Sequence, residues 1–190
     1  MPAATSTPSP RRTELLEAAY AYVLEHGLAD ISLRPLASAI GSSPRVLLYL
    51  FRSKDGLVRA LLARARADEL EAIARLRQPD VDVGLKERLT ELWGWLESPG
   101  HRTLLVLWTE AYARSLVEPD GPWAGFARQT VEDWLELIAE PAAGLDQSER
   151  TLSLAVLRGA LLDLLATGDR DRTSAAVRHF FGLIDRARTS

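Results

Sequence analysis

The chain has 190 residues, long enough to bury a sizeable core in one large or two small domains. It is 47% hydrophobic and 26% charged, an ordinary globular balance, and its net charge of −3 excludes a generally basic surface. With no cysteine there is no disulfide framework and no thiolate metal site, and no run of about 18 apolar residues is present to span a membrane. The opening MPAATSTPSPRR lacks the apolar core of a signal peptide, so a cytoplasmic location is expected, with residues 1–10 as a disordered arm.

A first helix is predicted over Arg11 to Glu25, with Leu15, Leu16, Ala19, Val23 and Leu24 on one face and Gly27 closing it. Ser32 suits the N-cap of a second helix through its hydroxyl, and Pro35 falls in the first turn, where a missing N–H costs little. Leu33, Leu36, Ala37 and Ile40 share a face of that helix, and Gly41 can adopt the positive φ that ends it. Ser42 or Ser43 caps a third helix with Pro44 at its first position, followed by Val46, Leu47, Leu48, Leu50 and Phe51. Two short helices joined by a tight glycine-containing turn make the helix-turn-helix pattern. Its second helix enters the major groove of DNA with its N-terminal residues at the base edges, which assigns Ser43 and Arg45 to that role.

A long helix from Lys54 to about Arg77 then links this head to a body, and QPDVDVG is a loop. Further helices are predicted over Leu85 to Glu97, His101 to Val117, Trp123 to Glu140, Asp146 to Thr167 and Arg172 to Arg186. Pro- and Gly-containing breaks separate most of them. No segment alternates with a period of two, so the fold is expected to be all-α, with about nine helices. The domains read as a head over 11–56 and a body over 57–190, each packing as its own unit. Charge divides in the same place. Residues 1–56 carry six basic groups (Arg11, Arg12, Arg34, Arg45, Arg52 and Lys54) against five acidic ones, and the remainder 17 against 21. Cations flanking the turn are placed for phosphates.

The string from Gly27 to Leu57, G-x5-S-L-R-x-L-A-x-x-I-G-x-S-x-x-x-L-x-Y-x-F-x-S-K-x-x-L, resembles the DNA-binding domain of the tetracycline-repressor (TetR) family of bacterial transcription regulators. The resemblance covers roughly residues 11 to 60, and Tyr49, Phe51, Ser53, Lys54 and Leu57 after the turn are its most specific part. It implies that Tyr49 and Lys54 hold phosphates. It also implies a repressor that binds a palindromic double-stranded operator as a homodimer and is released by a small effector. The chain departs from the family pattern at Leu48 and Leu50, often an aromatic or histidine pair, and at Ile31, usually Thr. Those changes remove groups able to contact phosphates. They support a second reading, a ligand-independent dimeric helical interaction protein with a degenerate head.

Two features concern the body. In Thr151 to Ala166, Leu154, Leu157, Leu161 and Leu164 line one side, and Leu152, Ala155, Val156, Gly159, Leu162 and Ala166 another. A helix apolar on two sides is buried on two sides. The family resemblance makes the second side, with Phe180 and Ile184 of the last helix, a four-helix interface with a second subunit. The aromatic residues gather in the middle of the chain. Pockets in helical bundles are mostly apolar and aromatic, which nominates Trp93, Trp108, Tyr112 and Phe126 as walls for an apolar or aromatic effector. Glu110, inside the apolar run LLVLWTEAYA, is nominated as a polar anchor. No enzyme motif is present: His26, His101 and His179 lack metal-ligand spacing, and there is neither G-x-S-x-G nor a Gly-rich phosphate loop. The reading is therefore of a protein that is not an enzyme and carries no cofactor or metal.

Overall fold

A computed structural model describes residues 9–28, 31–76, 85–139 and 146–189, and among them the chain is all-α. The helices are α1 (Pro10–His26), α2 (Leu33–Ala39), α3 (Pro44–Phe51), α4 (Lys54–Leu76), α5 (Leu85–Leu96), α6 (Arg102–Val117), α7 (Phe126–Ile138), α8 (Gln147–Thr167) and α9 (Arg170–Thr189). A single 3₁₀ turn, Pro99–His101, precedes α6. The QPDVDVG loop and most of the expected arm lie outside the described residues.

Local chemistry sets the boundaries. Helix α1 starts at Pro10, inside the stretch expected to be arm, because Ser9 Oγ accepts the Arg12 N–H at 3.3 Å. Ser43 Oγ accepts from the Val46 N–H at 3.3 Å and Pro44 opens α3. Ser32, by contrast, stands at the N-cap of α2 without a side-chain bond, so the hydroxyl cap expected there is not made. Trp123 was expected to open α7. It sits instead in a turn before it, because Gly125 at φ 78° breaks the helical path and Phe126 N–H closes a tighter bond to the Trp123 carbonyl. Asp169 starts α9 two residues early, its carboxylate accepting the Arg172 N–H at 3.1 Å. Asp146 and Glu149 cap the start of α8 reciprocally.

Helices α1 to α3 form the head. Leu15, Leu36, Leu47, Leu57 and Leu61 are buried in it to 2% exposure or less, and each contributes roughly 1.5–3 kcal/mol by leaving water. The core does not stop there. One continuous cluster of buried side chains runs from Leu15 through α4 to Phe181, and α1 packs on α6 as well as α4. The head is thus not a separate packing unit, contrary to the expectation from charge and sequence.

Three polar clamps reinforce that continuity. Tyr20 donates to Asp68 at 3.0 Å, and Arg64 bridges Asp68 and Glu17 at 2.7 and 2.8 Å, locking α1 to α4. Burial, then the adjoining Asp68 charge, pushes the Tyr20 hydroxyl well above the usual phenol range, so it stays a donor. Farther along α4, Trp134 Nε1 donates to Glu69 Oε1 at 2.8 Å and Arg66 pairs with Asp133, tying α4 to α7. The third clamp joins α6 to the head: Glu110 Oε2 accepts the backbone N–H of Leu28 at 3.0 Å.

Candidate functional site

Helix α3 divides its side chains sharply. Leu47 and Phe51 are buried and anchor it, whereas Arg45, Val46 and Leu48 are exposed and Tyr49 is 80% exposed. Pro44 and the capping Ser43 are half-buried at its N-terminus. The outward face therefore combines one guanidinium, two aliphatic side chains and a phenol. Arginine suits a bidentate contact to guanine, apolar groups suit the thymine methyl, and a phenol suits phosphate. That chemistry matches a groove-reading helix.

Cations surround the helix. Lys54 opens α4 exposed just beyond α3, and Arg34 is exposed on α2 beside an exposed Ser32. Arg11 is exposed and pairs with Glu14 at 2.8 Å. Arg12 stands with its guanidinium carbon 5.0 Å from the Phe51 ring centroid, so it braces the end of α3 from α1. Arg52 closes α3 at φ 72°, a region unusual for a residue with a side chain, and Ser53 Oγ then accepts the Gly56 N–H at 2.9 Å to start α4. The turn is tight: a Cβ on Gly56 would collide with the Phe51 carbonyl oxygen. The sequence reading passed over Gly56, although a glycine in the first turn of a long helix is a signal of close approach.

The body places the nominated aromatics in different surroundings. Trp108 lines a small, partly open cavity with Leu96, Trp134, Leu154, Leu157, Arg158 and Leu161. Tyr112, one turn along α6, has its ring centroid 5.3 Å from that of Trp108 and its hydroxyl accepts from Arg158 Nη1 at 3.1 Å. It also borders a separate surface groove with Ser115, Leu116 and Arg128. Trp93 is elsewhere, donating to Ser174 Oγ on α9 at 2.9 Å, where Ser174 in turn donates to Glu97. Phe126 is buried in the common core at the start of α7. Glu110 faces the head and holds Leu28, not the cavity, since it lies about 200° around the helix from Trp108. Sequence reasoning missed Arg158 and Glu69. Glu69 is buried, and desolvation pushes its carboxyl up to about 7 against the opposing pull of Trp134 and Arg66.

On the far side of α8, Leu154, Leu157, Leu161 and Leu164 are buried, while Leu152, Ala155, Gly159 and Leu162 are exposed and Val156 half-buried. Phe180 and Ile184 of α9 are half-buried and Leu183 is exposed. An apolar stripe over two adjacent helices is left uncovered in the single chain. Among the described residues there is no cluster of three or more His, Cys, Asp or Glu able to hold a metal, and no helix long and apolar enough to cross a membrane.

A capped helix-turn-helix head, continuous with an all-helical body, defines the class of fold. Residues 15–61 match the model of the bacterial regulatory proteins of the tetR family, so the head is similar to the DNA-binding heads of that family. Among curated relatives, the HTH-type transcriptional regulator BetI of Stenotrophomonas maltophilia (strain R551-3) is 27% identical over 112 residues, 58% of this chain and 57% of BetI. The HTH-type transcriptional regulator UidR of Escherichia coli (strain K12) is 30% identical over 99 residues, 51% of this chain and 49% of UidR. The match thus spans about half the length of these relatives. Among solved structures, multidrug binding protein EbrR complexed with imidazole is 28% identical with a TM-score of 0.65, covering 94% of this chain and 96% of EbrR. A TetR transcription regulator from Haloarcula marismortui ATCC 43049, 19% identical, shares the fold with a TM-score of 0.69 over 93% of this chain and 97% of its own.

Proposed function

We propose that the protein is a transcriptional repressor that binds a palindromic operator as a homodimer and lets go when a small molecule occupies its body. The observation that carries this reading is the outward face of α3, where Arg45, Val46, Leu48 and Tyr49 lie exposed on a helix held by Leu47, Phe51 and the Ser43 cap. In this reading Arg45 and Ser43 meet bases, and Tyr49, Lys54, Arg34, Ser32, Pro44, Arg11 and Arg12 meet or orient toward the phosphate backbone. Leu48 becomes a contact for a thymine methyl in place of a phosphate contact.

Homodimerisation supplies the second head that a two-fold operator needs. The α8–α9 stripe, with Leu152, Ala155, Val156, Gly159, Leu162, Phe180 and Ile184, is the surface for it. An added Cβ at Gly159 would meet nothing within 4 Å in its own chain, which leaves room for a close helix approach by the copy.

Effector coupling runs through α4 and α6. Trp134 and Trp108 line the cavity. Trp134 holds Glu69 on α4, and two residues beyond Trp108 Glu110 holds the head at Leu28. A ligand that parts the cavity walls moves both attachments and changes the separation of the two heads. It lowers operator affinity only by as much as it prefers the DNA-incompetent arrangement, and operator DNA weakens ligand binding by the same factor. The relatives named HTH-type transcriptional regulators and the multidrug-binding EbrR support this reading. A cytoplasmic site of action goes with it. A gel-shift titration with DNA flanking its own gene tests the proposal: a discrete complex that competitor DNA of random sequence fails to displace is expected.

A further inference from the structure

The exposed surface of the cavity is apolar, and the nitrogens of two lining residues, Arg158 and Trp108, lie buried behind it. Arg158 donates its Nη1 to Tyr112 Oη at 3.1 Å, and its guanidinium carbon stands 5.0 Å from the Tyr112 ring centroid, so Tyr112 engages the Nη1 end of the guanidinium. Its remaining nitrogens, Nε and Nη2, are buried without an acceptor among the described residues, and so is Trp108 Nε1. By covalent geometry Nε and Nη2 are the side of the fork that takes both oxygens of a carboxylate at once. The guanidinium is always charged, and no described carboxylate pairs with it. Buried unpaired donors are costly and rare, and a buried cation without a counter-ion more so.

We propose that the body cavity takes the carboxylate of an apolar organic acid, bound side-on by the Nε–Nη2 edge of Arg158 with Trp108 Nε1 as a further donor. The inference rests on the reading of the body as an effector domain and names the effector's chemistry. All three unsatisfied groups are donors, so the ligand brings acceptors; an amine would add a second cation beside the first. The other walls, Leu96, Leu154, Leu157, Leu161 and Trp134, require that the rest of the ligand be apolar. The cavity holds about 20 Å³ as it stands, room for one water, so the acid enters by pushing the walls apart. Trp134 is among those walls and its Nε1 grips Glu69 on α4, which connects ligand entry to the head.

The test uses the full-length protein without DNA. Straight-chain acids from butanoate to decanoate, with benzoate and phenylacetate, are titrated against tryptophan fluorescence and thermal midpoint, each beside the primary amide of the same shape. At least one acid is expected to bind roughly 10- to 100-fold more tightly than its amide, the ratio that a charge-assisted pair supplies. Arg158→Gln should abolish that preference while leaving amide binding in place, and Arg158→Lys, which keeps the charge but loses the fork, should recover only part of it. Should Arg158→Gln melt below the assay temperature, Arg158→Lys alone decides, by a clear loss of the acid preference. No binding by any acid of the series, or an acid preference that survives both substitutions, overturns the assignment. Operator binding by the wild type is measured separately. If it fails while Arg158-dependent acid binding holds, the regulatory reading falls and the carboxylate site stands.

Discussion

Glu69 makes the connection between α4 and the body measurable. Its carboxyl is buried, bonded to Trp134 Nε1 and pushed up to about 7, chiefly by desolvation. In the unfolded chain it titrates at its ordinary value of 4.5. The native state therefore binds the proton more tightly, and the stabilisation is fully present below pH 4.5 and lost as pH rises through about 7. At about 1.4 kcal/mol per tenfold change in proton affinity, the loss is on the order of 3 kcal/mol by pH 8. Glu69→Gln keeps an acceptor for Trp134 and removes the charge. Urea unfolding of both proteins at pH 5 and pH 8, at one fixed protein concentration, isolates the effect. The variant should gain on the wild type by up to about 3 kcal/mol between the two pH values. Equal pH dependence in the two proteins would refute the burial argument.

Arg45→Ala should relax operator sequence preference at a cost of about 1–3 kcal/mol, whereas Lys54→Ala should weaken all DNA sequences alike and reduce the salt slope by about one. Anisotropy titrations over a range of salt concentrations check both. Gly159→Leu meets open space in its own chain, so the protomer should tolerate it. The overpacked dimer contact should lose about 1–3 kcal/mol, seen as more monomer in sedimentation at micromolar concentration and weaker operator binding in parallel. Gly56→Ala drives a methyl into the Phe51 carbonyl and should lower the thermal midpoint and operator affinity together, because the α3–α4 turn has to open.

The head was legible because its signals are local. Ser43, Pro44, Gly41 and the Leu47–Phe51 pair act within one turn of their own positions, so a short stretch of sequence contains the whole argument. Ser32 shows the limit, since a suitable cap residue need not make the bond. Burial across the chain was less legible. Glu110 was nominated because it interrupts an apolar run, and the same rule applied to AVLRGALL would have found Arg158. Helical phase separates the two: Arg158 reaches the Tyr112 side of α6, and Glu110 points away toward Leu28. Trp93 and Trp108 look alike in sequence, yet Ser174 on the distant α9 claims the first and the cavity the second. The polar clamps joining α1 to α4 and α4 to α7 connect residues 47 to 67 positions apart, and no local pattern announces them.

The central claim is that α3 reads DNA on behalf of a paired molecule. Anisotropy of a labelled duplex taken from the DNA flanking its own gene, titrated with the wild-type protein at physiological salt, tests it most directly. Saturation at two chains per site is predicted, with a preference of roughly 10³-fold or more over random duplex of the same length and a steep fall in affinity as salt rises. Equal binding to flanking and random duplexes, or saturation by a single chain, would contradict it.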